Sequence, residues 1–166
     1  MNIYIDYLPD NDRKRTDYLS VKKLANEEDE LIAFDTKKDL ISFIDKKDLS
    51  QVKHISINSH GCPNPACFTR NGLIEDAITY EELVESLNST VNGEKIILNL
   101  VSICQSHLID FCLNRLDKRF AEVWVSTNNT PCVDASFIII KDGDFDNYVH
   151  EKELPLRKIK NLKYIV

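Results

Sequence analysis

The chain has 166 residues, 43% hydrophobic and 29% charged, with four glycines and five prolines. That composition excludes a disordered or low-complexity protein and is long enough for one domain with its own core. A formal net charge of −6 argues against a non-specific nucleic-acid binder or a protein drawn to anionic membranes.

No apolar run approaches the ~20 residues of a membrane-crossing helix. The opening MNIYIDYLPD lacks the basic start of a secretory leader. Five cysteines without a dense framework of even spacings fit a reducing compartment, and cytoplasm is the expected location.

Ile3–Tyr7 reads as a first strand closed by Pro9. Arg13–Asn26 reads as a helix with Tyr18, Val21 and Leu24 on one side. Leu31–Phe34 is a second short strand. Thr36 then caps a helix over Lys37–Lys47, whose apolar face is Leu40, Ile41, Phe43 and Ile44. Lys53–Ser59 is a third strand, and after His60 the residues Pro63 and Pro65 predict a loop. Thr79 and Glu82 make a capping box for a helix through Leu87, stopped at Asn92-Gly93. Lys95–Val101, almost unbroken in Ile and Leu, predicts a strand apolar on both faces in the middle of a parallel sheet. A helix over His107–Lys118 and strands at Ala121–Ser126 and Ser136–Lys141 complete the alternation. The basic stretch from Lys152 to Lys163 reads as a solvated face. The expected fold is a single α/β domain over residues 1–166, a three-layer α/β/α sandwich with a mostly parallel central sheet.

Ligands of open α/β sheets bind beyond the carboxyl ends of the strands. Two segments place reactive groups there: His54–Gly61, ending in Ser59-His60-Gly61, and Ile96–Ser106, containing Cys104. Consecutive strands joined by one crossover usually neighbour each other, so His60 and Cys104 should face one cleft. A thiolate is a nucleophile, and a nearby His or a helix N-terminus favours it. Acyl transfer also needs donors for an oxyanion. Gly61, with no side chain, and the Cys104 N–H are the candidates.

A hydrophobic strand ending in Ser-His-Gly, a crossover helix, and a hydrophobic strand leading to Cys104-Gln105-Ser106 resemble the caspase-like cysteine peptidases. That group includes caspases, metacaspases, separase-type and CHAT-type proteases and self-cleaving toxin domains. The resemblance covers roughly Lys53 to Leu108. It implies a caspase-like fold and a cysteine protease acting on a protein or peptide substrate without metal or organic cofactor. It also implies His60 as proton shuttle, Cys104 as nucleophile, and the Gly61 and Cys104 N–H groups as oxyanion hole. Two positions before the nucleophile, where many members carry an acidic residue or Gln that contacts substrate, stands Ser102. That position supports no preference for a basic or an acidic residue ahead of the scissile bond. Asp134 is an alternative acid.

Two other readings use the same residues. One is an interaction module that keeps the scaffold without turnover. The other is a zinc site formed by His60, Cys62, Cys67 and Cys104, a soft N/S donor set whose spacing is not that of a zinc knuckle. Cys112, Cys132 and Trp124 read as packing residues, and Asp142-Gly143-Asp144 as a turn.

Overall fold

The computed structural model describes residues 1–15, 27–90 and 92–127, and the backbone of 156–161. The described residues form eight strands: β1 (Asn2–Tyr7), β2 (Glu30–Ala33), β3 (His54–Pro63), β4 (Ala66–Thr69), β5 (Ile78–Thr79), β6 (Ile96–Leu100), β7 (Phe120–Ser126) and β8 (Leu156–Asn161). The α-helices among the described residues are α1 (Asp10–Arg15), α2 (Lys37–Lys46) and α3 (Tyr80–Ser89). A 3₁₀ helix spans Ser106–Arg115, and a shorter one spans Ile74–Asp76.

The sheet order is β2-β1-β3-β6-β7-β8, with β4 and β5 branching off β3. The pairs from β2 to β7 are parallel; β8 runs antiparallel to β7. This is an α/β fold with a mostly parallel central sheet, as the alternation predicted. β3 and β6 are direct neighbours, with Ile55 opposite Leu98 and Ser56 opposite Asn99.

The caps explain two helix starts. Thr36 accepts a hydrogen bond from the Asp39 N–H and opens α2. Thr79 accepts from the Glu82 N–H while Glu82 accepts from the Thr79 N–H, so the α3 capping box is reciprocal. Each helix then turns an apolar stripe inward: Leu40 and Ile44 from α2, Leu83, Val84 and Leu87 from α3. They share one core with Ile3, Ile5, Ile55, Ile57, Leu98, Leu100, Val123 and Val125. Residues alternate across a strand, so these strand residues all belong to one face of the sheet.

The opposite face is chemically different. Tyr4, Asp6, Ser56 and Asn99 lie there, all buried. Asn99 donates from Nδ2 to Ser56 Oγ at 2.8 Å, across the β3–β6 pair. The expectation that the central strand is apolar on both faces is therefore corrected: β6 buries Leu98 on one side and a hydrogen-bonded Asn99 on the other. A buried amide is tolerated only when its polar atoms are satisfied; Oδ1 accepts from the Val101 N–H as well.

Three further expectations change. His60 is not followed by an open loop: β3 continues to Pro63 and turns at Asn64-Pro65 into a hairpin with β4. The helix after Cys104 is a 3₁₀ helix from Ser106, not an α-helix, and buries Ile109, Cys112 and Leu113 with near-threefold spacing. Part of the basic C-terminal stretch forms β8. Helix α1 begins at Asp10; the rest of the expected Arg13–Asn26 helix, the Ser136–Lys141 strand, Cys132, Asp134 and Asp142–Asp144 lie outside the described residues.

No helix among the described residues is long and apolar enough to cross a membrane.

Candidate active site

The carboxyl ends of β1, β3 and β6 meet at one edge of the sheet, and the residues singled out by sequence lie there. Gly61 lies against the backbone of Cys104. A Cβ at Gly61 would lie 1.9 Å from the Cys104 carbonyl oxygen, 2.8 Å from its carbonyl carbon and 3.0 Å from its nitrogen. All three atoms are backbone, so no side-chain rotation would make room. Glycine is needed for this close approach. The same contact places the backbones carrying both expected oxyanion donors against each other.

Cys104 follows β6 in a tight descent. The Ile103 N–H donates to Leu100 O at 3.0 Å, and the Ser106 N–H to Ile103 O at 3.2 Å. Between them Gln105 holds φ 55° and ψ 28°, the left-handed region that a non-glycine residue seldom occupies. Such conformations cost of order 1–3 kcal/mol and gather at functional sites. Here it reverses the chain immediately after the thiol, which is half-buried. Ser106, the next residue, is buried and accepts from the Ser126 N–H at 2.8 Å, pinning the turn to the end of β7.

His60 alternates with the buried Ser59. Ser59 Oγ lies 3.1 Å from both Tyr7 O and Thr69 O, anchoring β3 to β1 and β4. His60 itself is 44% exposed, and its Nε2 lies 2.7 Å from Asp12 Oδ2. A carboxylate only accepts, so Nε2 donates and the neutral ring keeps Nδ1 as its acceptor.

Asp12 is the site residue that sequence reading missed. It sits in α1, 48 positions before His60, with no motif to connect them. The local signal was available: Pro9 followed by Asp10 and Asp12 marks an acidic first helical turn. Arg13 clamps this short helix to the sheet. Its Nε lies 3.5 Å from Asp6 Oδ2, its Nη1 3.2 Å from Asp10 Oδ1, and its Nη2 3.3 Å from Asp35 Oδ1. Nη2 also donates to Phe34 O at 3.1 Å. Arg70, at the end of β4, reaches Asp35 at 3.0 Å. Asp6 is 3% exposed, and burial pushes its carboxyl up to about 6 although Arg13 pulls the other way.

A cavity of about 550 Å³ opens beside His60. Its walls include Asp12, His60, Gly61, the β3–β4 hairpin, Arg70, and the apolar Pro9, Leu73 and Ile74. Ile74 is 83% exposed at its rim. Cys104 borders Gly61 rather than the cavity itself. Ser102 is buried and forms no part of the cavity lining. A larger groove of about 790 Å³ lies between α2 and α3, but no thiol or imidazole lines it, and its Lys37 is taken by Glu82 at 2.6 Å.

Cys62 and Cys67 face each other across the hairpin. Among the described residues, no three His, Cys, Asp or Glu side chains are grouped so that they could hold a metal ion. The expected donor set His60, Cys62, Cys67 and Cys104 is thus not assembled, because the hairpin pairs Cys62 with Cys67 while Cys104 meets the backbone of Gly61.

In comparisons with known proteins, no family model, no curated protein and no solved structure matches the chain.

Proposed function

We propose that the protein is a cysteine endopeptidase in which Cys104 is the nucleophile, His60 the proton shuttle and Asp12 the residue that orients His60. The observation that carries this reading is the backbone contact of Gly61 on Cys104, which joins the two strand ends at a position where only glycine fits. The Asp12–His60 hydrogen bond adds support: it leaves Nδ1 as the basic atom of the ring.

In this reading His60 Nδ1 takes the thiol proton as Cys104 Sγ attacks a peptide carbonyl. The developing oxyanion is received by the N–H groups of Gly61 and Cys104. The leaving amine takes the proton from His60, and water then hydrolyses the thioester with His60 again as base. Asp12 stabilises the imidazolium and holds the ring in one tautomer; it is a positioning residue, not a proton carrier. The cavity beside His60, with its apolar rim and Arg70, is the place for one side of a peptide chain. Ser102, beneath the nucleophile's strand end, contributes at most the floor of the neighbouring subsite.

The three-layer, caspase-like sandwich is supported by the parallel β1-β3-β6-β7 order and by α2 and α3 on one face with α1 clamped to the other through Arg13 and Asp6.

The test is labelling by a thiol-directed peptide electrophile such as an acyloxymethyl ketone. Wild type should label at Cys104 and Cys104→Ala should not, with His60→Ala labelling at least tenfold more slowly. Equal labelling of Cys104→Ala removes the nucleophile assignment. Absence of labelling in all three favours the scaffold that binds without turnover.

A further inference from the structure

We propose that Cys62 and Cys67 form a reversible thiol–disulfide pair, a redox modification site in the wall of the cavity and separate from Cys104. The inference does not depend on the peptidase reading, because it rests on the hairpin alone.

The two residues are directly opposed in the antiparallel β3–β4 ladder, between the pairs Gly61–Phe68 and Pro63–Ala66. Opposed residues share a face of the ladder, with Cα atoms about 4.5–5.5 Å apart. A disulfide spans about 4.4–6.8 Å between Cα atoms. The backbone is therefore already at bridging distance, and only side-chain rotation is required. Both cysteines line the cavity. They differ in access: Cys62 is half-buried, whereas Cys67 is 2% exposed. Both are thiols in this structure, and the Cys62 thiol donates to Asn64 O at 3.7 Å.

Burial, and then the neighbouring Cys62, pushes the Cys67 thiol up to about 11. The difference in access orders the chemistry: the more accessible Cys62 is the group an external oxidant meets first.

The oxidant class is a low-molecular-weight disulfide. The Cys62 thiolate attacks one of its sulfurs, forming a mixed disulfide and expelling one thiolate, which takes up the Cys62 proton. Cys67 then loses its proton, attacks the Cys62 sulfur and expels the second thiolate, which takes up that proton. Two S–H bonds of the protein become one S–S bond, and the oxidant's S–S bond becomes two thiols. The pair gives up two electrons and the oxidant gains them. Disulfides of this kind in a reducing compartment are transient and sensing rather than structural. Closing the bridge would tie β3 to β4 two residues beyond His60.

The experiment uses the full chain and glutathione disulfide. After incubation, remaining thiols are blocked with N-ethylmaleimide and the protein is digested with trypsin. Cleavage after Lys53 and Arg70 yields a peptide, His54–Arg70, that holds Cys62 and Cys67 and no other cysteine. The proposal predicts that this peptide loses two hydrogens, takes up no maleimide, and returns to the doubly alkylated form after dithiothreitol. Cys104→Ser should give the same result. In Cys67→Ser the peptide should instead carry glutathione on Cys62. A wild-type peptide that carries two maleimides, or that stops at a glutathione adduct, overturns the proposal. The wild-type result decides the matter even if Cys67→Ser fails to fold.

Discussion

Replacing Gly61 by alanine tests the contact on which the site is built. The new methyl carbon would begin 1.9 Å from Cys104 O, when non-bonded heavy atoms settle at about 3.5–4.0 Å. Relief requires the two backbones to part by more than about 1 Å. Neither yields easily. β3 is paired with β1 up to Ser59 and with β4 from His60 to Pro63, with Ser59 Oγ bridging to Tyr7 O and Thr69 O, and Cys104 sits between the turn bonds of Ile103 and Ser106. Overpacking of this kind costs about 1–3 kcal/mol. A displacement of about 1 Å at a reacting centre can cost about 10²-fold in rate. Urea unfolding should therefore show a loss of about 1–3 kcal/mol, and labelling of Cys104 by the peptide electrophile should slow by about 10²-fold. Gly72→Ala is the control: nothing lies within 4 Å of its Cβ, and its φ of +76° strains only the local turn. It should lose about 1 kcal/mol through backbone strain and, although it lines the cavity, slow labelling far less than Gly61→Ala because it does not touch Cys104. If Gly61→Ala matches wild type in both stability and labelling rate, the close approach is not what positions the thiol.

Asp12→Asn should slow labelling by about 10²-fold or more, because the amide no longer holds the ring in one tautomer; its urea midpoint should move little, since the hydrogen bond is partly exposed and worth about 1 kcal/mol or less. An unchanged rate and pH profile would show that Asp12 does not orient His60. For Asp6, the folded-state value of about 6 lies above the ordinary carboxyl value of 3.8, so the native protein binds its proton more tightly than the unfolded chain. Its contribution is thus most favourable below about pH 4 and is lost as pH rises through about 6. Asp6→Asn should flatten that slope and gain about 1–3 kcal/mol at pH 7.5, with Arg13 still paired to Asp10 and Asp35; urea unfolding from pH 4 to 8 reads it, and a variant less stable at pH 7.5 with the wild-type slope would contradict it. Thr79→Ala removes the hydroxyl that accepts from the Glu82 N–H, leaving the Thr79 N–H to Glu82 half of the α3 capping box, and should cost about 1 kcal/mol by thermal unfolding without slowing the labelling of Cys104; no change in stability would mean that the remaining half of the box and the packing of Leu83 and Leu87 hold the helix start.

The elements that sequence revealed are those whose causes are local. Thr36 and Thr79 each signal a helix within four residues, and both cap as expected. The run from Ile96 marks the central strand because its neighbours bury it. The hairpin was hidden by Pro63 and Pro65. Read as loop residues, they obscured the antiparallel pairing of Cys62 with Cys67 that continues β3 past His60. The helix after Cys104 carries apolar residues at 109, 112, 113 and 116, a pattern that fits α and 3₁₀ periods alike, so spacing alone did not choose between them. Asn99 interrupts an otherwise apolar strand, and its meaning needed the register that sets it beside Ser56. At the site, His60, Gly61 and Cys104 were singled out because each follows closely on a recognisable apolar run, although β3 itself continues past His60 to Pro63. Asp12 was not, since its partner is brought to it only by the parallel pairing of β1 with β3 and the Arg13 clamp.

Peptide-bond hydrolysis by Cys104 is tested by a peptide-library digest read by mass spectrometry. Wild type should generate new termini at internal peptide bonds, and Cys104→Ala and His60→Ala should generate none above the no-enzyme control. Cleavage by Cys104→Ala at the wild-type rate, or none by a wild-type protein shown to be folded and reduced, would contradict it.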